Sequence, residues 1–151
     1  MLLAASHPDV FVSALRRRRV MWWSPRTTVA VILREIADPK TADLVCGYLR
    51  DRNWLARLHA VRALDRMGGE DAHRCIEKAL RDREPYVRMV AIQAISRWDR
   101  GRAKALYKQA LHPARGKALP PHVKREAEAD LEDLEAGRVI PVTRPWRVGP
   151  F

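Results

Sequence analysis

The sequence predicts an all-α protein, a short right-handed α-solenoid of about four antiparallel helix pairs with an extended C-terminal tail. Two observations carry this. Sliding the chain against itself by 31 residues lays Leu49, Arg50, Asp51 and Arg52 on Leu80, Arg81, Asp82 and Arg83, and sets Arg57, Ala60, Val61, Ala63 and Leu64 on Arg88, Ala91, Ile92, Ala94 and Ile95. A period of this size marks a helix pair that cannot bury its apolar face alone and must stack on copies of itself. Between the breaks, apolar residues recur at the three- and four-residue spacing of helices packed on one side.

The first helix is expected from Ser6 to Arg19, with Val10, Phe11, Ala14 and Leu15 inward, and the second from Ser24 to Ala37, with Val29, Ile32, Leu33 and Ile36 inward. Asp38-Pro39 stops it, because a residue before proline avoids the helical region. Lys40 to Arg50 is the next helix, and Asp51 is placed to cap its successor, Asn53 to Met67. Gly68-Gly69 supplies a left-handed end. The pair then recurs as Glu70 to Arg81 and Glu84 to Trp98, with a break at Asp99-Arg100-Gly101. A looser third copy follows: Ala103, Leu106, Tyr107, Ala110 and Leu111 repeat Ala72, Cys75, Ile76, Ala79 and Leu80, again 31 residues on. After a turn that is five residues longer, Val123, Lys124, Ala127 and Leu131 fall on Val87, Arg88, Ala91 and Ile95. The six acids between Glu126 and Glu135 read as the solvated face of that last helix. The helical repeat domain is thus expected over 1–136. Residues 137–151 form a tail in which Pro141, Pro145 and Pro150 forbid a helix. Trp146 and Phe151 are too apolar for a free end and are expected to dock, on this chain's own last repeat or on a protein partner.

An aspartate at the turn, a basic residue six positions later and an Ala-Val-x-Ala-Leu run, as in Asp51, Arg57 and 60–64 and again in Asp82, Arg88 and 91–95, resemble HEAT repeats. The pattern looks like the short type seen in phycobilin-lyase-like HEAT proteins. The resemblance implies a solenoid whose second helices line the concave side. It also implies that the basic column Arg26, Arg57, Arg88 and Lys124 bonds to neighbouring turns as a structural ladder with Asp51 and Asp82. It implies no particular function, since HEAT arrays serve as protein scaffolds, as nucleic-acid binders and, less often, as enzymes.

Function is sought on surfaces. The chain carries 29 Lys and Arg against 18 Asp and Glu, net +11, and residues 1–125 hold 26 of those bases with 12 of the acids. Such a field favours a polyanionic partner. The turns between first and second helices are all basic: Arg16, Arg17, Arg18 and Arg19, then Arg50 and Arg52, then Arg81 and Arg83, then Arg115 and Lys117. Stacked about 10 Å apart, they form an edge that a phosphate backbone could follow. The candidate partners are therefore a nucleic acid or ribonucleoprotein along this edge and a protein partner at the tail.

No catalytic motif stands against this reading. The five histidines occupy unrelated repeat positions, no phosphate-binding glycine loop or nucleophile elbow occurs, and no cofactor, metal or small-molecule substrate is inferred. No stretch is long and apolar enough for a membrane span. The opening run of Met1 to Ala5 breaks at Ser6-His7-Pro8-Asp9, unlike a signal peptide, and the chain reads as cytoplasmic. Cys46 and Cys75 occupy different repeat positions and are expected as separate buried thiols.

Overall fold

The structure, a computed structural model, describes residues 8–16, 26–114, 116 and 118–140. Among them are eight α-helices, one 3-10 turn and no strand. One compact unit ends at Ala94 and a second begins at Ile95. The first holds α1 (Pro8–Arg16), α2 (Arg26–Ile36), the 3-10 turn Pro39–Thr41, α3 (Ala42–Tyr48), α4 (Trp54–Met67), α5 (Gly69–Ala79) and α6, whose span Pro85–Ile95 ends at the boundary. The second holds α7 (Arg100–Leu111) and α8 (Pro121–Glu135). The 31-residue match is thus a helix pair, α3 with α4 and then α5 with α6.

The core of the first unit is built from the repeat positions. Leu33, Val61 and Leu64 on second helices, and Val45 and Ile76 on first helices, are sealed from solvent. Each such side chain contributes about 1.5–3 kcal/mol on burial. Trp54 and Tyr86, at the starts of α4 and α6, stack with ring centroids 5.7 Å apart. Between α4 and α5 the chain reverses at Gly68 (φ 64°) and Gly69 (φ 83°), two successive positive values that side chains with a Cβ rarely adopt. Gly68 N–H closes the helix on the Leu64 carbonyl at 3.0 Å.

Several expected boundaries move, each for a local reason. The helix expected from Lys40 starts at Ala42, because Asp38 accepts from Lys40 N–H at 3.0 Å and winds Pro39–Thr41 into a 3-10 turn first. Asp51 does not cap α4. It accepts from Asn53 N–H at 2.8 Å, and Asn53 is the cap, accepting from Leu55 N–H at 3.0 Å. The helix expected to run to Trp98 ends at Ile95, and α7 starts at Arg100, inside the expected break, since Asp99 caps it by accepting from Arg102 N–H at 2.9 Å.

The expected solvated acidic face of α8 needs a correction. Asp130 is buried and accepts from the Tyr107 hydroxyl at 2.9 Å, so it belongs to the α7–α8 packing with Ala103, Val123, Ala127 and Leu134. Beyond α8, Arg138 binds Asp133 at 2.8 Å, Arg100 donates to the Arg138 carbonyl at 3.2 Å, and Ile140 is buried. The first residues of the expected tail therefore pack on the second unit. Trp146 and Phe151 lie outside the described residues.

The cysteines are the largest correction. Cys46 on α3 and Cys75 on α5 are joined in a disulfide, with Cα atoms 5.7 Å apart and a sequence separation of 29. Different repeat positions do not keep them apart, because side chains of neighbouring helices interdigitate rather than meet register to register.

Two stability measurements follow from this packing. Closing a loop of this length removes about 3.6 kcal/mol of denatured-state entropy, so a dithiol reductant should lower the melting temperature by roughly 7–14 °C. An unchanged melting curve would mean that the bond holds nothing. The second concerns Arg57, whose side chain is 5% exposed and paired with Asp82, at 8%. Urea unfolding should show a loss of about 3–5 kcal/mol for Arg57→Ala, which strands a buried carboxylate. Arg88→Ala, which breaks only bonds to turn carbonyls, should cost about 1–2 kcal/mol.

Candidate polyanion-binding edge

The two Leu-Arg-Asp-Arg segments fold alike. After α3 the N–H groups of Leu49, Arg50 and Asp51 bond back to the carbonyls of Cys46, Gly47 and Tyr48 at 3.2, 3.3 and 3.0 Å. After α5 those of Leu80, Arg81 and Asp82 bond to Glu77, Lys78 and Ala79 at 3.3, 3.3 and 3.1 Å. Each turn aspartate then takes the backbone N–H two residues on, Asn53 for Asp51 and Glu84 for Asp82, both at 2.8 Å. The chain direction is thereby set, and the arginines on either side of each aspartate project outwards.

Arg57 fixes the two turns against each other. Its Nη1 donates to the carbonyls of Asp51 at 2.8 Å and Arg52 at 3.2 Å. Its Nε and Nη2 form a fork on the Asp82 carboxylate at 2.7 and 2.9 Å. Hydrogen bonding to that carboxylate is the main reason why the guanidinium pKa is raised above its ordinary value. Arg88 repeats the first half of this arrangement, donating to the carbonyls of Asp82 at 2.7 Å and Arg83 at 3.2 Å. Among the described residues no carboxylate completes the second half, and the position 31 residues after Asp82 in the sequence is Pro113. Lys124 takes no comparable place: it is exposed, and its ammonium lies 3.8 Å from Glu128 on the same helix. The Arg26 side chain lies outside the described residues.

Arg50, Arg52, Arg81 and Arg83 are all exposed. Arg83 donates to the Arg52 carbonyl at 3.2 Å and so ties the second turn to the first. The guanidiniums of Arg50, Arg52 and Arg81 make no bond to another described residue. Between the turns lies a depression of about 380 Å³ with Arg50, Arg52 and Arg83 around it. A longer groove of about 470 Å³ runs beside it between α3 and α5, with Arg50, Lys78 and Arg81 on its walls and Cys46 in its lining. Lys78 and the disulfide gave no sequence signal for this site, since neither belongs to a turn.

Arg16 does not join this edge. It forms a fork on Asp43 at 2.8 and 3.0 Å and donates to the Lys40 carbonyl at 3.0 Å, which places it at the start of α3, whereas Arg50 follows its end. Its ion pair with Asp43, the main cause of the lowered Asp43 pKa, spends the charge that the sequence assigned to binding. Arg17, Arg18, Arg19, Arg115 and Lys117 lie outside the described residues.

The family model for HEAT repeats matches residues 9–96, more than half of the chain. No curated protein and no solved structure was found to match. HEAT repeats form helical binding and scaffold modules that commonly join proteins to one another. No described helix is long and apolar enough to cross a membrane. The matched region takes in both Leu-Arg-Asp-Arg turns, the Arg57 clamp and the helix pairs on either side, and the chain belongs to the HEAT-repeat family.

Proposed function

We propose that this protein is a non-catalytic HEAT-repeat binding module that docks a polyanion, a nucleic acid or ribonucleoprotein, along the edge formed by Arg50, Arg52, Arg81 and Arg83. One observation carries the reading: two equivalent turns each present two exposed guanidiniums, while Asp82 between them is consumed by Arg57 and by the Glu84 N–H. Glu84 is the acid left beside them, and one carboxylate does not cancel four outward guanidiniums. Guanidiniums match phosphate oxygens through paired N–H donors, and turns repeated at helix-packing distance suit a ligand whose charges also repeat. Phosphates are the same at every nucleotide, so such contacts position a strand without reading its sequence.

A second reading rests on the family itself. HEAT repeats commonly bind proteins, and a scaffold subunit anchored by its C-terminal tail through Trp146 and Phe151 would use the same helices without the edge.

Salt separates the two. For a polyanion, the logarithm of affinity should fall linearly with the logarithm of salt concentration, with a slope of roughly −0.7 to −0.9 per phosphate neutralised. Fluorescence anisotropy with a labelled single strand and a labelled duplex, each at several salt concentrations, measures that slope. Reversing Arg50, Arg52, Arg81 and Arg83 to Glu should abolish binding with the helical spectrum unchanged, because none of the four is buried. Reversing Arg102 alone, which belongs to neither of these turns, should change affinity by less than about threefold, the scale of a single surface charge. Should neither nucleic acid show salt-sensitive binding at low ionic strength, the polyanion reading gives way to the scaffold reading.

A further inference from the structure

The second helices of the first unit carry a charge cluster that the edge does not use. On α4, His59, Arg62 and Arg66 stand at helical spacing on one face, and α2 sets Arg34 and Glu35 against them. Glu35 is shared, by Arg34 at 2.6 Å and Arg66 at 3.3 Å. Arg34 also reaches the His59 ring, its Nη1 lying 3.5 Å from Nδ1. A guanidinium can only donate, so Nδ1 is the bare nitrogen and the ring proton sits on Nε2. Asp65, one turn along from Arg62, has a partner other than Arg62.

Arg62 is different from its neighbours. It is half-buried, yet it makes no hydrogen bond or ion pair with any described residue, and none of its nitrogens is sealed from solvent. Three guanidiniums here face two carboxylates, and the charge left over is that of Arg62. On the remaining second helix, α6, the one residue charged at neutral pH is Arg88, which is bonded to its own turn. The repeat positions matching His59 and Arg62 are Val90 and Gln93, which carry no charge.

We propose that the surface shared by α2 and α4 around Arg62 is a second docking point, which takes a carboxylate side chain from an acidic segment of a protein partner. A half-buried guanidinium without a counter-ion is costly in the free chain, so an anion that arrives there gains more than it would at an exposed arginine. Two effects of this environment show in the protein: the Arg62 pKa is lowered by burial first and by Arg34 second, and that of His59 is lowered to about 4 by burial, then by Arg34 and Arg62. The size of the excess selects the ligand. A single carboxylate neutralises the cluster, whereas a phosphate dianion would overshoot it beside Glu35. This site is separate from the edge: residue 62 lies about 12 Å along the helix from its first residue, Trp54.

Nuclear magnetic resonance of the whole chain tests the assignment, with a hexaglutamate peptide as the probe. At pH 6 the Arg62 Nε–Hε signal should shift saturably, and the His59 titration, followed at Cε1 from pH 7 downwards, should move up by about one pH unit as its neighbour is neutralised. Groups facing His59 in that window are Arg34 and Glu35 from α2, and Arg62, Asp65 and Arg66 from its own helix. Arg62→Gln should weaken the peptide at least tenfold while leaving the melting temperature close to that of the parent, and Arg62→Lys should restore part of the affinity. The fourfold Arg-to-Glu reversal of the basic edge should leave the Arg62 response unchanged, so failure here and failure of the polyanion reading are distinguishable. An unmoved Arg62 signal, a response lost in the edge variant, or an equal response to inorganic phosphate at the same concentration would each overturn the proposal.

Discussion

The bond network of Arg57 is the constraint on which the first unit depends. A helix pair leaves carbonyl groups without partners at the turn, and a solenoid also needs a device that sets one turn against the next. Arg57 meets both needs with one side chain, giving one nitrogen to the carbonyls of Asp51 and Arg52 and two to the Asp82 carboxylate. A buried ion pair of this kind adds little net stability compared with apolar packing of the same volume, because both charges must leave water. Its contribution is geometric, since the fork admits one relative placement of the two turns. The positive edge is a consequence of the same arrangement. Once Asp82 is enclosed by Arg57 and the Glu84 N–H, Glu84 is the remaining carboxylate of that turn beside Arg81 and Arg83.

The clamp also ends where the sequence ends it. Arg88 repeats the carbonyl contacts of Arg57 without a fork on a described carboxylate, and 31 residues after Asp82 the sequence has Pro113 in place of an aspartate. The boundary between the two compact units falls in the helix that carries Arg88. The second unit uses another device, the buried bond from the Tyr107 hydroxyl to Asp130. A hydroxyl and a carboxylate on facing helices fix the pair α7 and α8 internally, without the repeating turn.

The elements legible in the sequence were those that repeat. A 31-residue self-match carries its own statement of period, turn and inward face, and the helices of the two central pairs lie where that match puts them within a few residues. The turn arginines are exposed where the repeat expects them. What the sequence hid was set by pairs of residues that share no repeat position. Cys46 and Cys75 meet only because α3 and α5 interdigitate. Arg16 turns to Asp43 because a carboxylate happens to stand there, and no spacing within α1 announces it. Asp130 looked like one more acid in an acidic helix until Tyr107, 23 residues earlier, was placed against it. Asn53 took the cap from Asp51 because a side chain two residues before a helix reaches its own turn sooner than the helix end. Arg62 was invisible for a further reason: in a chain with 23 arginines, the one that is half-buried without a described partner carries no signal until its neighbours are placed.

The disulfide and the two charged surfaces bear on how a partner would be held. Disulfides persist in oxidising surroundings and are reduced in the cytosol, so an intact Cys46–Cys75 bond and a cytoplasmic location do not go together. The basic edge does not depend on which holds, because its turns are set by Arg57 and Asp82 rather than by sulfur. Exposed guanidiniums such as Arg50 and Arg81 act at long range, speed encounter and are screened within about 10 Å at ordinary salt. A half-buried guanidinium such as Arg62 is screened much less and acts only on contact, where an unpaired charge penalises a partner that brings no acid. A module with both kinds of surface can separate capture from discrimination. On the reading proposed above, the edge would gather a polyanion and the second-helix face would ask whether a carboxylate arrives with it.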